Sequence, residues 1–357
     1  MLTISEIPLP DTVDDAWRDY QRIGHAHNHE LVGGPQWDVS DEASLAAAHA
    51  DSEHEVHRYL AYLDGVAVGY ANTRVNLVDS PDKANVYICV LPNFRGRGIG
   101  RAIAERLLKE ASGYAVYQAW AMCPIPGPDD EALTPPTGAG AVPADHPAVR
   151  LALAYGFRFE QVERVSRYDF AAPLVDPAEA LAEATTVAGD DYEIVAWEGP
   201  AGDEMLADLC RLRELMYTDT PAGGMTVPES KWSVERMRAS DEERLLSNRM
   251  FRTVVRHMPT GTVVGLNELM LDRSNPEAFV DQWDTVVLPE HRGKRLGMAV
   301  KAANLVALKE AVPTATSIIT WNAEENRHML AVNEALGFYS ILAEAAFERR
   351  GIPPLSR

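Results

Sequence analysis

Val90-Leu-Pro-Asn-Phe-Arg-Gly-Arg-Gly-Ile-Gly100 decides the fold. An apolar run, Val86 to Leu91, precedes it, and an amphipathic run, Arg101 to Glu110, follows. The order is buried strand, glycine-rich turn, helix. Such an order aims backbone amides and a helix N-terminus at one spot, which makes an anion site. The same order returns at Val287-Leu-Pro-Glu-His-Arg-Gly-Lys-Arg-Leu-Gly297.

Working outward from the two turns, the flanking segments also repeat. Thr3–Ile7 reads as a strand, and Thr12–Ile23 has apolar residues at helical spacing. Ser40–Ala50 reads as a second helix. His57–Leu63 and Val66–Val75 form an antiparallel pair around Asp64-Gly65. Tyr114–Met122 is a strand, 124–147 a Pro- and Gly-rich loop, Ala148–Ala154 a short helix ended by Gly156-Phe157, and Gln161–Phe170 a closing strand. The second copy runs through a strand at Glu193–Trp197, helices at Asp203–Tyr217 and Glu229–Arg238, and strands at Phe251–Arg256 and Thr262–Leu271. Gln282–Leu288 then leads to its turn, followed by the helix Met298–Glu310, the strand Ser317–Trp321 and the helix Asn326–Leu336 before Gly337-Phe338. The spacing from Gly69 to Gly265 and from Arg95 to Arg292 is nearly constant. It shortens from Gly156 to Gly337, because Asn322–Glu325 replaces the long Pro-rich loop. The expected organisation is a domain at 1–171, a linker at 172–190 and a second domain at 191–357.

With 357 residues, two domains can each bury a core. A net charge of −20 argues against a nucleic-acid partner and favours a cationic or amine-bearing one. Cys89, Cys123 and Cys210 form neither a disulfide framework nor a zinc pattern, which fits a reducing cytoplasm. His25, His27 and His29 alternate, but no acid or thiol cluster accompanies them, so no metal is expected. No apolar run approaches a membrane span, and the start lacks the basic and apolar regions of a secretory signal.

Neither turn is a nucleoside-triphosphate loop, since Lys294 is followed by Arg295 rather than Ser or Thr. Neither matches a dinucleotide turn, because the glycine spacing is wrong and antiparallel hairpins precede it. The pattern is Arg-x-x-Gly-x-Gly after Val-x-Pro, then helix, strand and a short helix ending Gly-Phe. Here the chain resembles the GNAT superfamily of acetyl-CoA-dependent N-acetyltransferases, in both halves. The first copy matches the motif with Arg95, Gly98 and Gly100. The second keeps Arg292 and Gly297, with Arg295 in place of the middle glycine.

The resemblance implies an α/β (α+β) chain of two tandem GNAT folds, each a mixed, mostly antiparallel sheet flanked by helices. It implies acetyl-CoA as co-substrate, no metal, and a small-molecule amine as acceptor, the chain being a monomer or homodimer. A backbone N–H near Val90 or Val287 would polarise the thioester carbonyl. The pyrophosphate would rest on the turns: Leu91, Gly96, Arg97, Ile99 and Arg101 beside Arg95, Gly98 and Gly100, and Leu288, Gly293, Lys294, Leu296 and Met298 beside Arg292, Arg295 and Gly297. Asn326 matches the asparagine that lies near pantetheine in this family, where the first copy has Asp145. The family's tyrosine acid is replaced by Ala152 and Asn333.

Candidate bases lie on the strands around the second turn: Glu268, alternating with apolar neighbours, and Asp284. The first copy has Asn72 and Tyr87 there. Asp219, in the segment between the first two helices of the second copy, is the candidate amine-binding acid. Glu268, Asn326 and the Asp219 loop therefore place the expected chemistry in the C-terminal half, as direct attack in a ternary complex, with Glu268, Asp284 and Asn333 as the candidate catalytic residues. A non-catalytic acyl-CoA binder, or a transferase acting on a protein N-terminus, is the alternative.

Overall fold

The computed structural model describes residues 1–110, 113–275 and 277–351. Residues 352–357 of the expected C-terminal unit lie outside the described residues. The first half runs β1 (Leu2–Ile7), α1 (Asp15–Val32), α2 (Asp41–Ala50), β2 (His54–Leu63), β3 (Val66–Asn76), β4 (Ser80–Val90), α3 (Ile99–Glu110) and β5 (Val116–Cys123). A small pair, β6 (Ala132–Leu133) and β7 (Val142–Pro143), interrupts the Pro-rich loop before α4 (Pro147–Ala154) and β8 (Arg158–Asp169). The second half runs α5 (Pro177–Ala188), β9 (Tyr192–Glu198), α6 (Asp203–Asp219), α7 (Val234–Ser247), β10 (Asn248–His257), β11 (Thr262–Asp272) and β12 (Val280–Val287). It closes with α8 (Leu296–Ala311), β13 (Ser317–Ala323), α9 (Arg327–Leu336) and β14 (Tyr339–Arg350).

Local chemistry explains where the elements begin and turn. Asp64 and Gly65 take φ of 51° and 84°, the left-handed pair that a two-residue hairpin requires. Asp14 caps α1 by accepting from Trp17 N at 2.7 Å. This helix runs past the expected Ile23 to Gly33, so the three histidines lie on a helix rather than on one strand face. The helix expected at Glu229–Arg238 starts later, at Val234, because Ser233 is its cap. The segment 172–190 contains α5, which packs on α8.

The strands form one twelve-stranded sheet, ordered β1-β2-β3-β4-β5-β14-β8-β13-β12-β11-β10-β9. The two sheets expected of a tandem chain are thus joined edge to edge, and the join is reciprocal. β14, the last strand of the second half, inserts between β5 and β8 of the first. β8, the last strand of the first half, pairs with β13 of the second. Within each half one strand pair is parallel and brief. β4 and β5 pair from Lys83↔Val116 to Asn85↔Gln118, and β12 and β13 at Val280↔Ile318 and Asp281↔Ile319. Beyond these points the strands splay.

One face of the first half is covered by α3, over a core that includes Val86, Ile103, Leu107, Tyr117 and Phe347. The opposite face carries α1, with Ile23 and Cys89 buried beneath it. In the second half α8 and α6 take the corresponding places.

Candidate active site

The two turns share one hydrogen-bond plan. Leu91 N donates to Val68 O, and Leu288 N to Val264 O, both at 2.9 Å. Arg95 Nε donates to Val90 O, and Arg292 Nε to Val287 O, both at 3.0 Å. Each arginine is also held by a helix carboxylate, Glu30 of α1 in the first half and Asp219 of α6 in the second. Arg95 grips Glu30 with both Nη atoms, at 2.6 and 2.5 Å, and this bond keeps the Glu30 carboxyl below the usual range. Arg292 bonds Asp219. Asp219, expected to meet the acceptor amine, is therefore tied to the second turn.

The turns differ where the sequence differs. Gly96 and Gly98 take φ of 74° and 80°, and Gly293 takes 79°. Arg295 must adopt φ 55° in a glycine's place, which costs about 1 kcal/mol or more. Its guanidinium reaches Glu183 on α5. Arg97 folds back onto Asn93 O at 3.1 Å, and Lys294 lies 5.0 Å from the Tyr192 ring centre.

The splayed regions differ more. In the first half the splay opens an apolar cleft lined by Val86 and Ile88 on β4, Ala119 and Ala121 on β5, Ala104 on α3 and Ala152 on α4. In the second half polar side chains stand on the corresponding strands and helix. Gln282 Nε2 donates to Thr320 Oγ1 at 3.0 Å, bridging β12 to β13. Asn267 Nδ2 donates to Thr285 Oγ1 at 2.9 Å, and Asn304 Nδ2 to Asn267 Oδ1 at 2.8 Å. Asn333 is buried and donates to Asn322 Oδ1 at 2.7 Å. A neutral side-chain amide can donate a hydrogen bond but is too weak an acid to protonate a thiolate. Lys301 stands on α8 where Ala104 stands on α3. It is buried, and burial pushes its ammonium down to about 7. Asn326 caps α9 by accepting from Met329 N at 3.2 Å.

Glu268, the expected base, is fully buried between two arginines. Arg252 Nε and Arg213 Nη2 each bond one of its oxygens at 2.7 Å. Burial raises its proton affinity, but Arg213, Arg252 and Arg244 outweigh that and hold the carboxyl down to about 2. A carboxylate so neutralised is a poor proton acceptor. Arg252 continues to Asp241 at 2.5 and 2.7 Å, and Asp284 Oδ2 lies 2.7 Å from Arg213 Nη1. Burial raises the Asp284 carboxyl against the pull of Arg213. Glu268 and Asp284 thus belong to one buried, charge-balanced network.

The first half brings further side chains together. Tyr20, Tyr70 and Tyr87 stack between α1 and the splayed strand, with ring centres 4.5 and 5.7 Å apart. Cys89 is buried beside them, and burial pushes its thiol up to about 12, far from a nucleophile's range. Glu163 on β8 and Glu344 on β14 are direct cross-strand partners. Their shared place after Gly156-Phe157 and Gly337-Phe338 was a visible signal for the pair. The second half also reaches over this site. Thr226 O accepts from Gln118 Nε2 at 2.9 Å, and Thr226 N donates to Glu348 Oε2 at 2.5 Å.

Residues 10–124 match the acetyltransferase (GNAT) family model, whose members use acetyl-CoA as co-substrate. The whole chain overlays on a tandem GNAT protein from the clavulanic acid biosynthesis pathway, solved without acetyl-CoA. That match has a TM-score of 0.74 at 22% identity and covers 99% of both chains. A GCN5-related N-acetyltransferase from Sphaerobacter thermophilus aligns with a TM-score of 0.63 at 15% identity, over 99% of this chain and 97% of that one. Mycothiol acetyltransferase of Salinispora arenicola (strain CNS-205) is 26% identical over 322 residues, 89% of this chain and 88% of that protein. The chain thus carries a match to the GNAT acetyltransferase family in residues 10–124 and has the fold of a tandem GNAT protein over its whole length. No helix among the described residues is long and apolar enough to cross a membrane.

Proposed function

We propose that the chain transfers an acetyl group from acetyl-CoA to a small-molecule primary amine by direct attack in a ternary complex, and that acetyl-CoA binds in the N-terminal half. The carrying observation is the contrast between the two splays: Ala104 and its apolar neighbours line an open cleft in the first half, while the second carries buried Lys301 in the matching place and a Gln282–Thr320 hydrogen bond between its strands. Pantetheine would lie along β4 beyond Asn85, where pairing to β5 has ended and backbone groups of the strand are free to meet it. The pyrophosphate would take the amides around Gly96 and Gly98 and the N-terminus of α3. Bound phosphate would compete with Glu30 for Arg95. The peptide N–H near Val90 would face the thioester carbonyl as its charge grows.

In this reading the C-terminal half, where Glu268, Asp284 and Asn326 first pointed, supports the site rather than repeating it. It donates β14 to the sheet and the segment around Thr226 to the acceptor face. This reading takes 1–171 and 191–357 as the two units, with 172–190 between them. A mycothiol acetyltransferase among the relatives supports a small-molecule acceptor, and three unpaired buried thiols support a reducing, cytoplasmic setting. The test is release of free CoA across an amine panel. Gly98→Asp should abolish it and Arg295→Asp leave it intact, and the opposite pattern would move the reaction to the C-terminal half.

A further inference from the structure

Cross-strand register places Glu163 directly opposite Glu344 at the centre of the sheet, where the last strands of the two halves pair. Like charges so placed repel, and a stable fold normally avoids them. Four other acids at this junction have hydrogen-bond or ion-pair partners. Glu324 and Glu334 share Arg164 at 2.8 and 2.7 Å, Arg158 lies 2.8 Å from Glu160, and Gln118 and Thr226 hold Glu348. Glu163 and Glu344 have no hydrogen-bond or ion-pair partner among the described residues. Both are withdrawn from bulk water yet keep an accessible edge. Behind them Glu325 accepts from Gln161 Nε2 at 2.7 Å through Oε1, while its Oε2 is enclosed without a partner.

Their face is the one the acceptor must use. On β14, Ala343, Ala345 and Phe347 point into the core beneath α3, so Glu344 points to the opposite face, beside Met122 of β5. Tyr87 of the splayed strand lies on that face, near enough that the Glu344 charge raises its hydroxyl. An uncompensated carboxylate pair, reachable from solvent on the face of the sheet opposite the apolar cleft, is a cation site.

We propose that Glu163 and Glu344 bind the acceptor as a dication, that is, as an aliphatic diamine, and that Glu344 takes the proton from the reacting ammonium. This rests on acetyl-CoA occupying the N-terminal cleft. The ammonium loses one proton to Glu344. The freed amine attacks the thioester carbonyl, the C–N bond forms, the C–S bond breaks, and the second amine proton goes to the departing CoA thiolate. Glu344 then releases its proton to solvent. Glu163 holds the second ammonium. A carboxylate on the acceptor would be repelled, so an amino acid of the same length is excluded.

The test is calorimetric binding of 1,4-diaminobutane, n-butylamine and 4-aminobutyrate to the CoA-loaded protein, with CoA affinity measured separately. The wild-type protein should bind the diamine best and 4-aminobutyrate not at all. Glu163→Gln and Glu344→Gln should each weaken diamine binding by roughly tenfold to a hundredfold, the worth of a hydrogen bond to a charged group, while CoA affinity is unchanged. With acetyl-CoA, Glu344→Gln should lower kcat, and Glu163→Gln should mainly raise KM. No diamine binding by the wild type, equal binding of 4-aminobutyrate, or unchanged binding in both variants overturns the proposal and leaves the cleft assignment standing. Loss of CoA binding in Arg295→Asp but not in Gly98→Asp would instead overturn the cleft assignment.

Discussion

Lys301 occupies on α8 the position that Ala104 occupies on α3, so a buried ammonium stands in the second half where a methyl group lines the open cleft of the first. Lys301 has no hydrogen-bond partner for Nζ, and burial alone lowers it from 10.5 to about 7. The folded protein therefore binds fewer protons than the unfolded chain between those values. Stability should rise with pH from about 7 towards 10.5, and the cost is full below 7. Lys301→Met should remove that slope and stabilise the protein by on the order of 3 kcal/mol at neutral pH, read by denaturant melts at several pH values.

Glu268→Gln separates a structural role from a catalytic one. It leaves Arg213 and Arg252 buried with too little compensating charge, a loss of roughly 3–5 kcal/mol. Its carboxyl falls from 4.5 unfolded to about 2 folded. The wild-type contribution is thus present above pH 4.5 and lost as pH falls towards 2. Tm should drop sharply in the variant, while kcat per folded molecule stays near wild type. A loss of kcat without a loss of Tm would return Glu268 to the role of base.

Arg295→Gly should be tolerated. It relieves a left-handed arginine and gives up an exposed ion pair to Glu183, so the net change should lie within about 1 kcal/mol in either direction. It should not create a second acetyl-CoA site, because the Gln282–Thr320 bridge and Lys301 remain. Thermal melts and a binding titration check the two statements.

Glu344 is pushed up to about 8 by burial and by Glu163. The groups around it are Glu163, with Glu325 behind that residue, and the Tyr87 hydroxyl and Cys123 thiol. As proton acceptor it must be ionised, so kcat/KM should climb through an apparent midpoint near pH 8, and Glu344→Gln should lose that limb. Because its folded value lies above the unfolded 4.5, Glu344 stabilises the fold below about 4.5, and this contribution is lost as pH rises towards 8.

The parts of this molecule legible from sequence are those fixed by local backbone chemistry. Both turns were visible because Gly96 and Gly98 sit at left-handed positions, and Arg295 stood out as the departure. The Asp64-Gly65 hairpin and the Gly-Phe helix ends were visible for the same reason. The exchange of β8 and β14 was not, because an alternating strand reads alike whichever half it joins. Glu268 looked like a base since Arg252 and Arg213 approach it only after β10 and α6 pack. Glu163 and Glu344 passed unnoticed because their significance lies in facing each other, which neither half shows alone.

The most direct test is the stoichiometry of acetyl-CoA binding by calorimetry on the wild type, Gly98→Asp and Arg295→Asp. One acetyl-CoA per chain is expected, abolished by Gly98→Asp and preserved in Arg295→Asp. Two sites per chain, or a single site destroyed by Arg295→Asp and spared by Gly98→Asp, would contradict a single working cleft in the N-terminal half.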